Sequence, residues 1–363
     1  MGRSVRGSSV RALFALTVVP VVLALVPAPA EGRAASRTWT VAVPRSAPAA
    51  PFAVHDVAPT RLDIPVNTVT ATPAAGTTVD VRSLRPDGMW SEWTPTPAVL
   101  PESHDVQVRL VHTAASGPGT VTLTAWRDPA ARPRAARMDT FRIFATREGL
   151  VGGTTANGHV IRTRDHFVAL PSRRGLASRS GGEYTVRVCT VGGHRCAWAP
   201  VWDVGPWNIT DDHWNVARQS WRDLPHGLPQ AQAAYQDGYH GGKDQFGRRV
   251  RNPAGIDLAD GTFWDALGLA ANSWVDVTYQ WTGSGPWGTV ETPGWALKVR
   301  AAPNAGAAHV GYAARHARVR VDCHRSGQQL HGTQGTTTRW YRLAPGKYVS
   351  AAYVRPGLAA AAC

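Results

Sequence analysis

A chain of 363 residues is long for one compact domain and fits two or three at about 150 residues each. Its 39 Lys and Arg against 25 Asp and Glu give a net charge of +14. No run of five or six basic residues marks a nucleic-acid tail, so the charge is diffuse and suits an anionic polymer attracted at long range rather than nucleic acid.

The first predicted element is a secretory signal peptide over residues 1–30. Arg3, Arg6 and Arg11 precede the apolar run from Ala12 to Val26, and Ala28, Pro29 and Ala30 supply the small residues of a cleavage site. That run is short for a bilayer, and no later one approaches the roughly 20 residues of a spanning helix, so no membrane span is expected. Removing the segment leaves 36 basic and 25 acidic residues, or +11, on a protein expected to be secreted, extracellular or cell-wall associated. In that oxidising setting four cysteines should make two disulfides. Cys189 and Cys196 bracket a Gly-Gly hairpin turn and pair locally, which leaves Cys323 for Cys363. The alternative, a zinc site, matches no common ligand spacing, so neither metal nor cofactor is expected.

Residues 36–127 alternate short β-branched runs with Pro, Gly and Asp turns, as in TVDVRSL, HDVQVRLVHTA and GTVTLTAWR. Such period-two strands predict a β-sandwich-like accessory domain. Residues 128–139, rich in Pro and Arg, read as a linker. A second domain follows over 140–282, with strand-like ends and a stretch over 208–253 richer in helix formers. The Gly/Pro/Trp-rich 283–295 reads as another linker. Residues 296–363 give several short strands, which suits a small barrel. The expected class is mainly β.

The middle domain carries GTTANGHVI (153–161), DHFVALPS (165–172), VWDVGPW (201–207), GIDLADGTFWDALGL (255–269) and WVDVTYQW (274–281). In this order they resemble the six-stranded double-psi β-barrels of the rare lipoprotein A and expansin type. The last domain resembles bacterial SH3-like domains through LKVRAAPN, a mid-strand Cys and KYVSAAYV. The resemblance implies cell-wall polysaccharide or peptidoglycan as partner; a monomer is expected as the working form. It also implies that Asp203, in the Asp-x-Gly-Pro turn, is a general acid, a role that needs a carboxyl group kept protonated by partial burial. Val201, Trp202, Val204 and Trp207 supply apolar surroundings, although a turn-closing Asp would look the same. Asp257 is expected to open a helix, capping N–H groups and orienting the cleft. His166, one residue further from Leu-Pro than in the family, would relay a proton or remain a strand-end histidine. Thr154, Thr155 and Asn157 would bind glycan or hold their turn. Among the tryptophans, Trp198 and Trp202 are expected in a core, whereas Trp207 and Trp214, beyond the Gly-Pro turn, are expected to face sugar rings.

Two departures qualify this. Val204 stands where the family has Arg, and about fifty residues separate Asp203 from Asp257 where the family has a short gap. The insertion, in which Asp211 and Asp212 are expected to open a first helix, could act as a lid. Three functions stay open: glycan binding without cleavage, as in expansins; lytic transglycosylation, with Asp203 as acid and an internal hydroxyl as nucleophile; and a structural or inhibitory envelope role with a covered cleft. A serine hydrolase is disfavoured because no Gly-x-Ser-x-Gly turn occurs.

Overall fold

The structure, a computed structural model, describes residues 35–45, 52–113, 115, 117–133 and 138–363. The stretch 1–30, expected to be a signal peptide, lies outside them. The chain is mostly β, and among the described residues no helix is long and apolar enough to cross a membrane.

The first sheet comprises β1 (Ser36–Val43), β2 (Ala53–Asp56), β3 (Thr60–Thr72), β4 (Thr77–Ser83), β5 (Thr94–Pro95), β6 (Ala98–His112) and β7 (Gly119–Trp126), in the order β1-β7-β3-β6-β4-β5 with β2 beside β6. Alternation decides its faces: β7 buries Val121, Leu123 and Ala125 and turns its threonines outward. Register shifts between β3 and β6, at Arg61/Val66 and Val66/Thr68, bend these long strands around one apolar cluster.

The second unit is a closed barrel. β8 (Thr140–Glu148), β9 (Val168–Leu170), β10 (Thr185–Thr190), β11 (Cys196–Val204), β12 (Ala254–Ala259) and β13 (Ser273–Tyr279) follow the order β10-β13-β8-β12-β9-β11, and β10 pairs with β11 to shut the ring. The β8–β12 and β9–β11 pairs are parallel, and the others antiparallel. Inward residues such as Ile143, Val168, Val188, Ile256 and Val277 fill the interior, leaving a ring this small with a packed core rather than a channel.

The remaining strands are β14 (Trp287–Val290), β15 (Leu297–Arg300), β16 (His309–Ala313), β17 (Arg318–Arg320), β18 (Cys323–Gly332), β19 (Gly335–Ala344), β20 (Lys347–Ser350) and β21 (Val354–Leu358). β14 falls inside 283–295 and pairs with β17 and β21, so that stretch is structural, not a bare connection. Nor does the C-terminal region hang free, because β16 runs parallel to β11 and continues the barrel sheet. Both disulfides form as expected: Cys189–Cys196 closes the β10–β11 hairpin, and Cys323–Cys363 ties the last residue to β18.

The first sheet is joined to the barrel through buried arginines. Arg82 reaches Glu183 (2.9 Å) and the Tyr184 hydroxyl (3.2 Å), and Arg109 donates to the Leu176 carbonyl (3.0 Å). The insertion holds one α-helix, α1 (Gln230–Asp237). Asp211 and Asp212 do not open a helix. Asp211 pairs with Arg218 and accepts the N–H of Gln230 (2.6 Å), while Asp212 accepts that of Gln219 (2.6 Å) and pairs with Arg174. The insertion is anchored where β8 begins and β13 ends. His226 meets Phe141 edge to face at 4.9 Å, and His213 bonds the Tyr279 hydroxyl at 2.7 Å.

Candidate active site at the end of β8

Strand register brings three carboxylates to one end of the barrel. β8 and β12 run parallel with Thr146 opposite Asp257 and Glu148 opposite Ala259. Asp203 of β11 and Asp257 of β12 both lie opposite Ala169 of β9, which runs between them. A register shift at Val201/Asp203 marks an irregularity where β11 delivers Asp203.

The three groups differ in their partners. Asp203 is half-buried, and its Oδ1 accepts the N–H groups of Ala156 and Val204, both at 2.8 Å. Asp257 accepts the Thr146 hydroxyl, and burial, opposed by that bond and reinforced by the charge of Asp203, pushes its pKa up to about 6. Glu148 is 7% exposed, and neither of its oxygens receives a hydrogen bond from any described residue. An ionised carboxylate can only accept, so a buried one without donors keeps its proton and donates instead. The acidic groups that act on it are Asp203 and, less strongly, Asp257. Burial first, and then the Asp203 charge, holds the Glu148 pKa well above the usual range. Burial also raises Asp203, against its two backbone N–H bonds and the bond from Glu148. Both carboxyl groups are therefore held protonated to higher pH than isolated ones, Glu148 the more strongly.

Other expected residues occupy other positions. Asp257 sits within β12 and caps no helix. The helical turn after that strand, Gly261–Ala266, has Asp260 at its N-cap without a side-chain cap bond, and Asp260 pairs with Arg147 instead (2.7 Å). His166 packs against Tyr312 at 5.3 Å, and burial lowers its pKa to about 4, so it is neutral; its charged neighbours are Asp265, Asp165 and Arg164, not Asp203. The histidine that reaches the Asp203 strand is His159, whose ring lies 4.6 Å from that of Trp202 and whose Nε2 meets Asp165 at 2.6 Å.

Thr155 and Asn157 are buried and hold the loop: the Thr155 hydroxyl donates to Asn157 Oδ1 (2.8 Å), and the Asn157 N–H to the Trp202 carbonyl (3.2 Å). Thr154, in the same loop, is exposed. Trp198 and Trp202 are core residues, as expected. Trp214 is buried as well, stacked on Tyr279 with its Nε1–H donating to Glu92 (2.7 Å), so it has no face to offer a sugar. Trp207 is partly buried against Ala231, Ala234 and Val250 of the insertion. Trp264, in the turn after β12, is 39% exposed, with the guanidinium groups of Arg147 and Arg164 4.7 and 4.8 Å from its ring centre.

Glu148 has no signal in the sequence. Counted in twos from Ile143, Arg147 would point inward and Glu148 outward. The register nevertheless runs unbroken from Ala145 to Glu148, so Thr146 and Glu148 share the face opposite Ile143 and Ala145, and both are buried there while Arg147 is exposed. The insertion's anchors at Phe141 lie seven residues back along β8, roughly 23 Å from Glu148 at the strand rise. Among the described residues no group of three or more His, Cys, Asp or Glu is placed to hold a metal ion. A cleft of about 770 Å³ lies elsewhere, between Leu100, Met138, Arg174 and Trp281, and none of the three carboxylates lines it.

Residues 139–278 match a family model described as a domain of unknown function (DUF8814). The match covers less than half of the chain, begins one residue before β8 and ends one residue before the end of β13. It thus spans the closed barrel with its insertion, and all three carboxylates lie within it. No curated protein and no solved structure matches the chain.

Proposed function

We propose that this is a secreted, wall-associated protein whose barrel is of the double-psi type and which cleaves a peptidoglycan-like glycan by acid catalysis at the Glu148–Asp203 pair. The observation that carries this reading is Glu148, buried without a donor beside the half-exposed Asp203. An acid that works near neutrality needs a raised pKa and a route to its substrate. Glu148 supplies the dry neighbour that keeps a proton on the pair, and Asp203 is the member within reach of a glycosidic oxygen.

Cleavage then proceeds without added water. The proton passes from Asp203 to the glycosidic oxygen as the bond from that oxygen to the anomeric carbon breaks. A hydroxyl of the same sugar attacks the anomeric carbon and returns its proton to Asp203, leaving an anhydro ring. Asp257, held by Thr146, keeps a further partial negative charge near the developing cation, and Thr154 offers a hydroxyl at the rim. The C-terminal strands, in this reading an SH3-like module, add wall affinity.

The second reading, binding without cleavage, draws on the two N–H bonds already spent on Asp203 Oδ1, which would also suit a carboxylate that only closes a turn. Insoluble peptidoglycan incubated with the protein separates the two. The parent should solubilise fragments, and Asp203→Asn should lose about a hundredfold or more of that rate while still pelleting with the wall. Equal solubilisation by D203N would remove Asp203 from the chemistry; pelleting with no solubilisation by the parent would favour the binding reading.

A further inference from the structure

The insertion carries a second cavity, of about 470 Å³, that the carboxylate chemistry does not use. It is lined by Tyr235, Gly238, Gly241, Gly242, Arg249 and Arg251, among others. Its shape follows from the end of α1. Gly238 closes the helix in the left-handed conformation (φ 66°), with its N–H on the Ala233 carbonyl, and the chain then coils left-handedly through His240, Gly241 and Gly242 (φ 55°, 66° and 71°). A Cβ at Gly238 or Gly241 would touch nothing within 4 Å, so the backbone there stands open to the cavity. The opposite wall is extended chain, fixed by the N–H of Val250 on the Gly242 carbonyl (3.0 Å). Alternation buries Val250 against Ala231 and Ala234 and leaves Arg249 and Arg251 exposed on one side.

The charge there is uncompensated. Neither Arg249 nor Arg251 pairs with a carboxylate among the described residues, whereas the neighbouring acids are engaged: Asp244 with Arg248 (2.6 Å) and Asp223 with the Tyr239 hydroxyl (2.9 Å). Asp237, exposed beside Gly238, is the one acid near the rim without such a bond. Residues two apart on an extended strand have Cα atoms roughly 7 Å from each other, so two guanidinium forks on such stems can share one oxyanion or grip successive ones. Tyr235, 52% exposed, adds an aromatic face for the carbon side of a polyol or sugar.

We infer that this cavity binds the oxyanion groups of a hydroxylated polyanion, phosphodiester or carboxylate, and so holds the protein on an anionic polymer independently of Glu148 and Asp203. Poly(glycerol phosphate) and polygalacturonate are the probes, with binding followed by calorimetry on the full chain at low and high salt. The parent should bind at least one of them, more weakly at high salt, and the polymer bound names the oxyanion. Arg249→Glu combined with Arg251→Glu should weaken binding by about tenfold or more, whereas the double Lys variant should retain part of it, because it keeps the charge and loses the fork. Both arginines are exposed, so the variants should fold, and circular dichroism matching the parent verifies this. D203N should bind the polymers as the parent does, which keeps this result separate from the fate of the cleavage reading. Binding of neither polymer by the parent, or binding that R249E/R251E leaves within about twofold, overturns the assignment.

Discussion

Glu148 shows how much one residue's surroundings can decide. Its ordinary pKa of 4.5 is raised in the fold because burial and the Asp203 charge both oppose ionisation. A raised carboxyl group contributes its stability in full below the unfolded pKa, and that contribution is lost as pH rises through the folded one. The parent should therefore lose stability from about pH 4.5 upward. Glu148→Gln, which keeps the shape and a donor for Asp203 without the charge, should have the higher melting temperature at pH 8, with the gap closing toward pH 4; a parent at least as stable as E148Q at pH 8 would contradict the raised Glu148 pKa. Asp257, raised from 3.8 to about 6, adds a smaller loss between those values, and Asp257→Asn should flatten the melting curve there. Asp203 and Asp257 were legible through their motifs. Glu148 was not, because no motif marks it and it is buried on the strand face that alternation from Ile143 assigns outward.

The insertion is held by tertiary contacts that no local pattern announces. Asp-Asp before a helix-forming stretch looks like a cap, yet the helix that Asp211 caps begins nineteen residues later, at Gln230. The side chains of Asp211 and Arg218 are each 1% exposed, so Arg218→Ala would strand a buried charge, at a cost of about 3–5 kcal/mol. Urea unfolding should show that loss together with faster proteolysis inside 208–253; a change under about 1 kcal/mol would mean that Asp211 is accommodated by its backbone bond alone. Gly227, at φ 88°, has room for no side chain, since a Cβ there would collide with the Phe141 ring. Gly227→Ala should destabilise by about 1–3 kcal/mol in the same assay. The sequence length between Asp203 and Asp257 revealed that something is inserted, but its attachment at Phe141, far along β8 from Glu148, could only be seen in three dimensions.

Across the described residues there are four apolar clusters, and that of the barrel takes in Met89 and Trp93 from before it and Trp287 of β14 after it. The period-two runs and ordered motifs made the β class, the barrel and both disulfides readable in advance. The stretch 283–295 was unreadable because its Gly, Pro and Trp hide β14, a strand that exists only through its partners β17 and β21. The Cys323–Cys363 bond spans a separation of 40 residues, and closing a loop of that length in the unfolded chain is worth about 4 kcal/mol. Cys363→Ser should lower stability by about that amount under non-reducing conditions. The measurement that tests the central claim most directly is mass spectrometry of the fragments released from purified peptidoglycan by the parent protein. The account predicts sugar ends lighter by one water, the anhydro product of an internal hydroxyl, and their loss in D203N. Fragments with ordinary reducing ends, or no fragments at all, would contradict it.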